Sequence, residues 1–312
     1  MAIKKPNELN FDDKTFTMII SGSPGIGKTT LALSAPDPLL FDLDRGISRV
    51  SAKHRKLSSE ADTYEELLAD MESDEYKAAK TIVLDTGGSL VQLMQPWAKK
   101  QEPKAARDGR AMFGVIKREF DRLTHQIRTI DKKNVVIIFH TTEVQKGDTI
   151  TQRLSCEGSA KDIVWTPADL GCFMYIMGGK RMLGFSPTEE YFAKSCYGIK
   201  GVIEVPDLDK NADNNFLTKL FDAAKKNLAS EMELYSGKKE AYDELMDEAR
   251  SVLMNVENGD DLTAAAAQLG SMEHVLTSKQ EIRKMIATKA KDLNLKYDKE
   301  AGKYVPADAQ SA

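Results

Sequence analysis

Gly22-Ser23-Pro24-Gly25-Ile26-Gly27-Lys28-Thr29 decides how this chain is read. The stretch is a complete match to G-x-x-x-x-G-K-[ST], and each fixed position does something other residue types do badly. Gly22, Gly25 and Gly27 let the backbone turn tightly enough for successive N–H groups to converge on an anion. Lys28 is a point charge for outer phosphates, and the Thr29 hydroxyl suits the coordination sphere of Mg²⁺. Residues 14–21 read as a buried strand ahead of the loop. Thr29-Thr30-Leu31-Ala32-Leu33 opens a helix behind it, whose dipole favours a negative charge. A merely structural glycine turn has no need of this order of strand, loop and helix. The expectation is a nucleoside-triphosphate site made by Gly22, Ser23, Pro24, Gly25, Ile26, Gly27, Lys28, Thr29 and Thr30.

Outward from the loop, short apolar runs alternate with helical patterns as far as about residue 140. Strands are expected at Phe16–Ile20, Leu39–Phe41, Thr81–Leu84 and Val135–Phe139. Their hydrophobicity is continuous rather than alternating, which suits strands buried on both faces of a parallel sheet. Thr63–Lys80 and Ala111–Ile130 read as helices; in the second, Ile116, Phe120, Leu123, Ile127 and Ile130 share one face. After Asp169 the pattern shortens to Cys172–Met177, Arg181–Phe185 and Tyr191–Ala193, separated by Gly178-Gly179 and Ser186-Pro187, which predicts a meander extending the sheet. From about Asn215 the chain reads as helical and charged to its end, with a capped start at Leu262 after Asp260-Asp261. The fold class is therefore α/β: a mostly parallel central sheet flanked by helices over residues 1–229, and a small helical appendage with a frayed tail over 230–312.

Ligands of such sheets sit at the carboxyl ends of the strands. The second strand ends in Phe41-Asp42-Leu43-Asp44, with two carboxylates available. The third, Thr81-Ile82-Val83-Leu84-Asp85, is an apolar strand closed by an acid, the form that holds Mg²⁺ beside a phosphate loop. Many strands end in Asp for turn reasons alone, but downstream of this loop Asp85 joins Thr29 as a metal candidate. The fourth strand ends in Phe139-His140-Thr141, where His140 either senses a terminal phosphate or satisfies a backbone group.

Bulk properties narrow the class. The chain has 312 residues, 41% hydrophobic and 29% charged, enough for a substantial core, and a net charge of −4 that neither requires nor forbids nucleic acid. Cys156, Cys172 and Cys196 have no metal-like spacing, so a reducing compartment is expected. The start lacks the apolar stretch of a signal peptide, and no apolar run approaches the roughly 20 residues that cross a bilayer. The expectation is a cytoplasmic protein, in a host cytoplasm if viral, without a membrane partner. No N-K-x-D tetrad is present to read guanine.

The order of these parts resembles the RecA-like P-loop ATPases, and more closely the bacteriophage-type, AAA-annotated members that include single-strand-annealing recombination proteins. The resemblance covers roughly residues 14–206. It implies a RecA-like P-loop NTPase core that binds and hydrolyses ATP with Mg²⁺ and acts on single-stranded DNA in phage recombination or replication. It also implies a homo-oligomer, with other recombination or replication proteins as further partners. By position, Asp44 corresponds to the family's water-polarising acid and Asp85 to its Mg²⁺-associated acid. His140 falls where the family carries a polar phosphate sensor, commonly Gln. Lys194, in Phe192-Ala193-Lys194-Ser195-Cys196, matches a basic residue that reaches a neighbouring subunit's nucleotide, although Cys196 stands where a second lysine is found in RecA. Two segments fall at the family's DNA-contacting loops. One is residues 98–110, with five basic side chains (Lys99, Lys100, Lys104, Arg107, Arg110) and two acidic ones. The other runs from Glu143 through Lys146, Arg153, Gly158 and Lys161 to Trp165, and reads as too polar and glycine-punctuated for a regular element. Two alternatives stand beside this reading. One is a nucleotide-gated loader or assembly factor; the other is a small-molecule phosphotransferase, which would want an arginine-rich lid that the chain lacks.

Overall fold

The computed structural model describes residues 11, 13–146, 149–156, 164–207, 210 and 214–307. The chain opens with β1 (Thr17–Gly22), α1 (Lys28–Ala32), β2 (Pro38–Asp42), β3 (Ser58–Ser59), α2 (Tyr64–Asp70) and α3 (Asp74–Ala78). It continues with β4 (Thr81–Asp85), α4 (Gly87–Gln101), α5 (Gly109–His125), β5 (Asn134–Lys146), β6 (Thr149–Leu154), β7 (Leu170–Met177), β8 (Lys180–Gly184) and β9 (Val202–Glu204). These strands form one sheet in the order β3-β2-β4-β5-β1-β7-β8-β9, with β6 paired to β5. From β3 to β7 every pairing is parallel; β7–β8, β8–β9 and β5–β6 are antiparallel. The expected mostly parallel sheet and its meander are both present.

Strand burial explains why the apolar runs are continuous. Ile19, Phe41, Ile82, Leu84, Ile137 and Phe139 pack on one face against Leu90, Val91 and Met94 of α4 and Ile116, Phe120 and Leu123 of α5. Their neighbours Met18, Ile20, Leu40, Val83, Val136 and Ile138 pack on the other, against Leu31 of α1 and Leu217, Leu220 and Phe221. Period-two alternation is thus present in space while both phases are apolar. The register places the site: Gly22 lies opposite His140 on one side and Met174 on the other, and Asp42 lies opposite Asp85.

Several elements differ from expectation. The helix over Thr63–Lys80 is two helices, because Ser73 breaks the first and caps the second by accepting from the Tyr76 N–H. The helix over Ala111–Ile130 starts at Gly109, capped by Asp108, and widens into a π turn over Gln126–Ile130. Tyr191–Ala193 is not a strand; the region makes only single bridges, Tyr191 to Gln152 and Lys194 to Gly171. Of the stretch from Glu143 to Trp165 expected to be irregular, Glu143–Lys146 continue β5 and Thr149–Leu154 form β6 beside it, while residues 147–148 and 157–163 lie outside the described residues.

The structure divides into two compact units between Leu228 and Ala229, inside α6 (Phe216–Met254). The second unit comprises the rest of α6, α7 (Gly259–Ser271), α8 (Ser278–Asp292) and the antiparallel pair β10 (Leu295–Asp298) and β11 (Lys303–Pro306). Its own core contains Met246, Leu253, Leu262, Leu269, Ile282 and Ile286. Helix α7 begins three residues before Leu262, with Asn258 accepting from the N–H groups of Asp260 and Asp261. The expected all-helical ending is corrected by the β10–β11 hairpin, in which Tyr297 and Tyr304 meet edge to face at 5.1 Å. The expected frayed tail lies outside the described residues. Among the described residues no helix is long and apolar enough to cross a membrane.

Candidate nucleotide site

The loop between β1 and α1 can be built only with glycine at two points. A Cβ at Gly22 would stand 2.5 Å from the Met174 carbonyl oxygen, and Gly27 sits at φ 104°, in the left-handed region. Helix α1 is five residues long, so the convergent N–H groups of the loop, more than an extended helix dipole, have to carry an anion.

Lys28 is 4% exposed. Its ammonium donates to the carbonyls of Gly22 (2.9 Å) and Ser23 (2.8 Å) and to His140 Nδ1 (3.1 Å). Burial pushes the Lys28 pKa down to about 8, against the pull of Asp85 and Asp44. An ammonium has no lone pair, so Nδ1 must be the acceptor; the proton of a neutral His140 ring is then on Nε2. Burial first, and the Lys28 charge second, hold the His140 pKa below its ordinary value, which keeps the ring neutral. Its Nε2 lies 3.7 Å from Asp44 Oδ2. The structure therefore strings Lys28, His140 and Asp44 together across the start of α1, the middle of β5 and the turn after β2.

On the same side, the Thr29 hydroxyl donates to Asp85 Oδ2 at 2.6 Å. Asp85 is 4% exposed, and burial raises its pKa to about 6, opposed by the Thr29 hydrogen bond. Among the described residues no group of three or more His, Cys, Asp or Glu is arranged to hold a metal. A hydroxyl and a carboxylate alone suit an ion whose remaining ligands are water and phosphate oxygens, which is how Mg²⁺ is bound in nucleotide sites. The pair fits that ion.

The two acids of the second strand have separate roles. Asp42 is fully buried and accepts from the N–H groups of Gly46 (2.7 Å) and Ile47 (2.8 Å), closing the turn after β2. Asp44 is part-exposed, its N–H donates to the Asp85 carbonyl, and its carboxylate faces His140 and, at 3.2 Å, Arg49. Lys194 is not with this group. Its ammonium donates to the carbonyls of Trp165 (3.2 Å) and Thr166 (3.4 Å), beside Gly171 and three residues before the level of Gly22. Arg181 was not foreseen as a site residue. It leaves β8, and its Nε–H donates to the Ile26 carbonyl at 3.0 Å.

The basic residues proposed for DNA are spread over defined elements. Lys99 and Lys100 close α4, where Lys100 pairs with Glu65 at 2.9 Å. Lys104 and Arg107 are exposed between α4 and α5, and Arg110 is in the first turn of α5. Lys146 ends β5, with its side chain outside the described residues, as are Gly158 and Lys161. Arg153 is exposed on β6 and borders a cleft of about 630 Å³ with Thr141, Trp165, Phe173 and Tyr191.

A phosphate chain whose outer end meets Lys28 would use the glycine cradle, the His140–Asp44 pair and the Thr29–Asp85 pair together. Fold and site define a P-loop ATPase built on a mostly parallel sheet. The chain belongs to the AAA domain family, whose model matches residues 14–197. No curated protein matches the chain. Among solved structures it is similar to a KaiC-like protein of the hyperthermophilic archaeon Pyrococcus horikoshii OT3, at 14% identity over 62% of this chain and 90% of that one, with a TM-score of 0.36. It is also similar to the flagellar accessory protein FlaH from Methanocaldococcus jannaschii, at 13% identity over 56% of this chain and 78% of that one, with a TM-score of 0.30.

Proposed function

We propose that this ATPase hydrolyses ATP with Mg²⁺ and couples hydrolysis to single-stranded DNA in recombination or replication of a phage genome, working as a homo-oligomer. The observation that carries the coupling is the path of β5. The strand holds His140 against Lys28 and runs without a break into the β5–β6 arm that bears Arg153. A shift of the strand at the phosphate is therefore delivered to the arm.

In the chemical step Asp44 accepts the proton of the attacking water, its carboxylate held by Arg49 at 3.2 Å with the His140 ring nearby at 3.7 Å. Lys28 supplies positive charge as charge grows on the outer phosphate. Thr29 and Asp85 would hold Mg²⁺, which would supply positive charge to the phosphate oxygens.

The test is hydrolysis with and without an unstructured oligonucleotide, together with DNA titrations at several salt concentrations. DNA should raise turnover, and affinity should fall with salt at a log–log slope of about −0.7 per neutralised phosphate. Changing Lys99, Lys104 and Arg107 together to Ala should flatten the slope by up to roughly 2. Lys100, already paired with Glu65, should contribute less than these three. No binding at low salt, with or without ATP, removes DNA from the reading and leaves the loader or assembly factor.

A further inference from the structure

Arg181 is the second residue of β8, opposite Ile176 and two residues beyond the level of Leu183, Met174 and Gly22. It is half-buried, and its Nε–H reaches across the end of β7 to the Ile26 carbonyl at 3.0 Å. A Cβ added at Gly27 would stand 3.4 Å from the same nitrogen. The guanidinium thus lies against the loop at the Ile26–Gly27 peptide.

That contact has a geometric consequence inside the loop. A trans peptide is planar, so its C=O and the following N–H point in opposite directions. Held toward Arg181, the Ile26 carbonyl leaves the Gly27 N–H pointing away from that side chain. An anion site needs this orientation, since a carbonyl turned inward would repel a phosphate. The peptide lies between Gly25 at φ 77° and Gly27 at φ 104°, and glycine gives little resistance to rotation on either side. Nothing intrinsic to Gly25-Ile26-Gly27 fixes the direction of the plane; an external donor does.

We infer that Arg181 is a positioning residue of the phosphate site, by which the antiparallel edge of the sheet sets the shape of the cradle in its own chain. The inference rests on the nucleotide reading above and adds a residue to it. Because Arg181 holds the backbone of the loop itself, its effect is on phosphate as such, whatever nucleoside is attached. Coupling between two sites is reciprocal, so phosphate in the cradle must also steady β8.

Two measurements on the full chain test this. In the first, dissociation constants for ATP, ADP and inorganic tripolyphosphate are compared in wild type, Arg181→Met and Arg181→Lys. Met keeps the bulk and removes the donor, and should weaken all three ligands by a similar factor, roughly tenfold, the scale of one charge-assisted hydrogen bond. Lys keeps a donor and should recover most of the loss, which a packing role would not allow. In the second, amide exchange is followed in wild type, independently of how the variants fold. The Val205 N–H donates to the Arg181 carbonyl, and tripolyphosphate should slow its exchange. The inference is overturned by unchanged affinities in Arg181→Met, by equal losses in Met and Lys, or by a loss confined to ATP and ADP. Exchange at Val205 that ignores the ligand also overturns it. A wild-type chain that binds none of the three ligands removes the nucleotide reading itself, and the inference falls with it.

Discussion

On one side of β1 the sheet continues through β5, β4, β2 and β3, all parallel; on the other, β7 is parallel and β8 and β9 turn back. The parallel side runs its strands in one direction past the loop, so the residues at that level collect there: Asp44 after β2, Asp85 at the end of β4, and His140 of β5 opposite Gly22. The antiparallel side cannot do this, because alternate strands end at the opposite edge. What it offers at the loop comes from the beginning of a strand, Arg181 on β8, whose Nε–H donates to the Ile26 carbonyl. Lys194 belongs to the same side and sits at the level of Gly171, below the loop. Under the proposed function the chemistry belongs to one flank and the shaping to the other, and substitutions can separate them.

The largest separation should come from the two acids that follow Phe41. Asp44→Asn keeps the size of the side chain but cannot take a proton, and should lower kcat by about 10²–10⁴-fold with ATP affinity little changed. Asp42→Asn disturbs the buried turn to Gly46 and Ile47, and should lower the melting temperature while leaving turnover per folded molecule near normal. Steady-state kinetics with thermal melting of both variants would break the comparison if the roles came out exchanged.

A smaller effect is set by pH, again on the parallel flank. As pH falls through about 6, Asp85 takes up a proton and loses its hold on a cation. As pH rises through about 8, Lys28 loses its proton and the cradle loses its charge. The profile of kcat/KM, which reports the free enzyme, should therefore be a bell with limbs near 6 and 8, falling about tenfold per unit outside them. A rate still rising above pH 9 would detach Lys28 from the substrate.

How far this division could be read in advance depended on how local each cause was. The glycine loop, the apolar strands and Asp85 are stretches of a few residues whose meaning lies within them. His140 became specific only through the register that sets it opposite Gly22. Helix α4 was hidden by its own residues: Gly87 and Gly88 open it and Pro96 lies inside it. All three disfavour a helix, yet Leu90, Val91, Met94 and Ala98 bury one face and Thr86 caps it by accepting from the Ser89 N–H. The β5–β6 arm was disguised by Thr141-Thr142-Glu143 and the polar residues that follow, which satisfy a ladder without an apolar pattern. Arg181 was beyond reach, since its contact joins residues 155 apart through the pairing of three strands. Asp42 and Asp44 differ in no property of the side chain; only the turn distinguishes them.

The smallest effect tests the lower part of the antiparallel flank. Lys194 satisfies two carbonyls ahead of β7, those of Trp165 and Thr166, and is partly exposed. Removing an ammonium from such a position costs about 1–2 kcal/mol, since the carbonyls regain some water. Lys194→Ala should therefore melt a few degrees lower yet hydrolyse ATP at the wild-type rate per chain in dilute solution, where subunits are apart. At concentrations where the chain assembles, a basic residue that reached a neighbour's nucleotide would reveal itself differently. Mixtures of Lys28→Ala and Lys194→Ala chains would regain activity that neither has alone, because each supplies what the other lacks at a shared boundary. A folded Lys194→Ala chain that is already slow when dilute would place Lys194 in the chemistry of its own subunit, and the division between the two flanks of the loop would no longer hold.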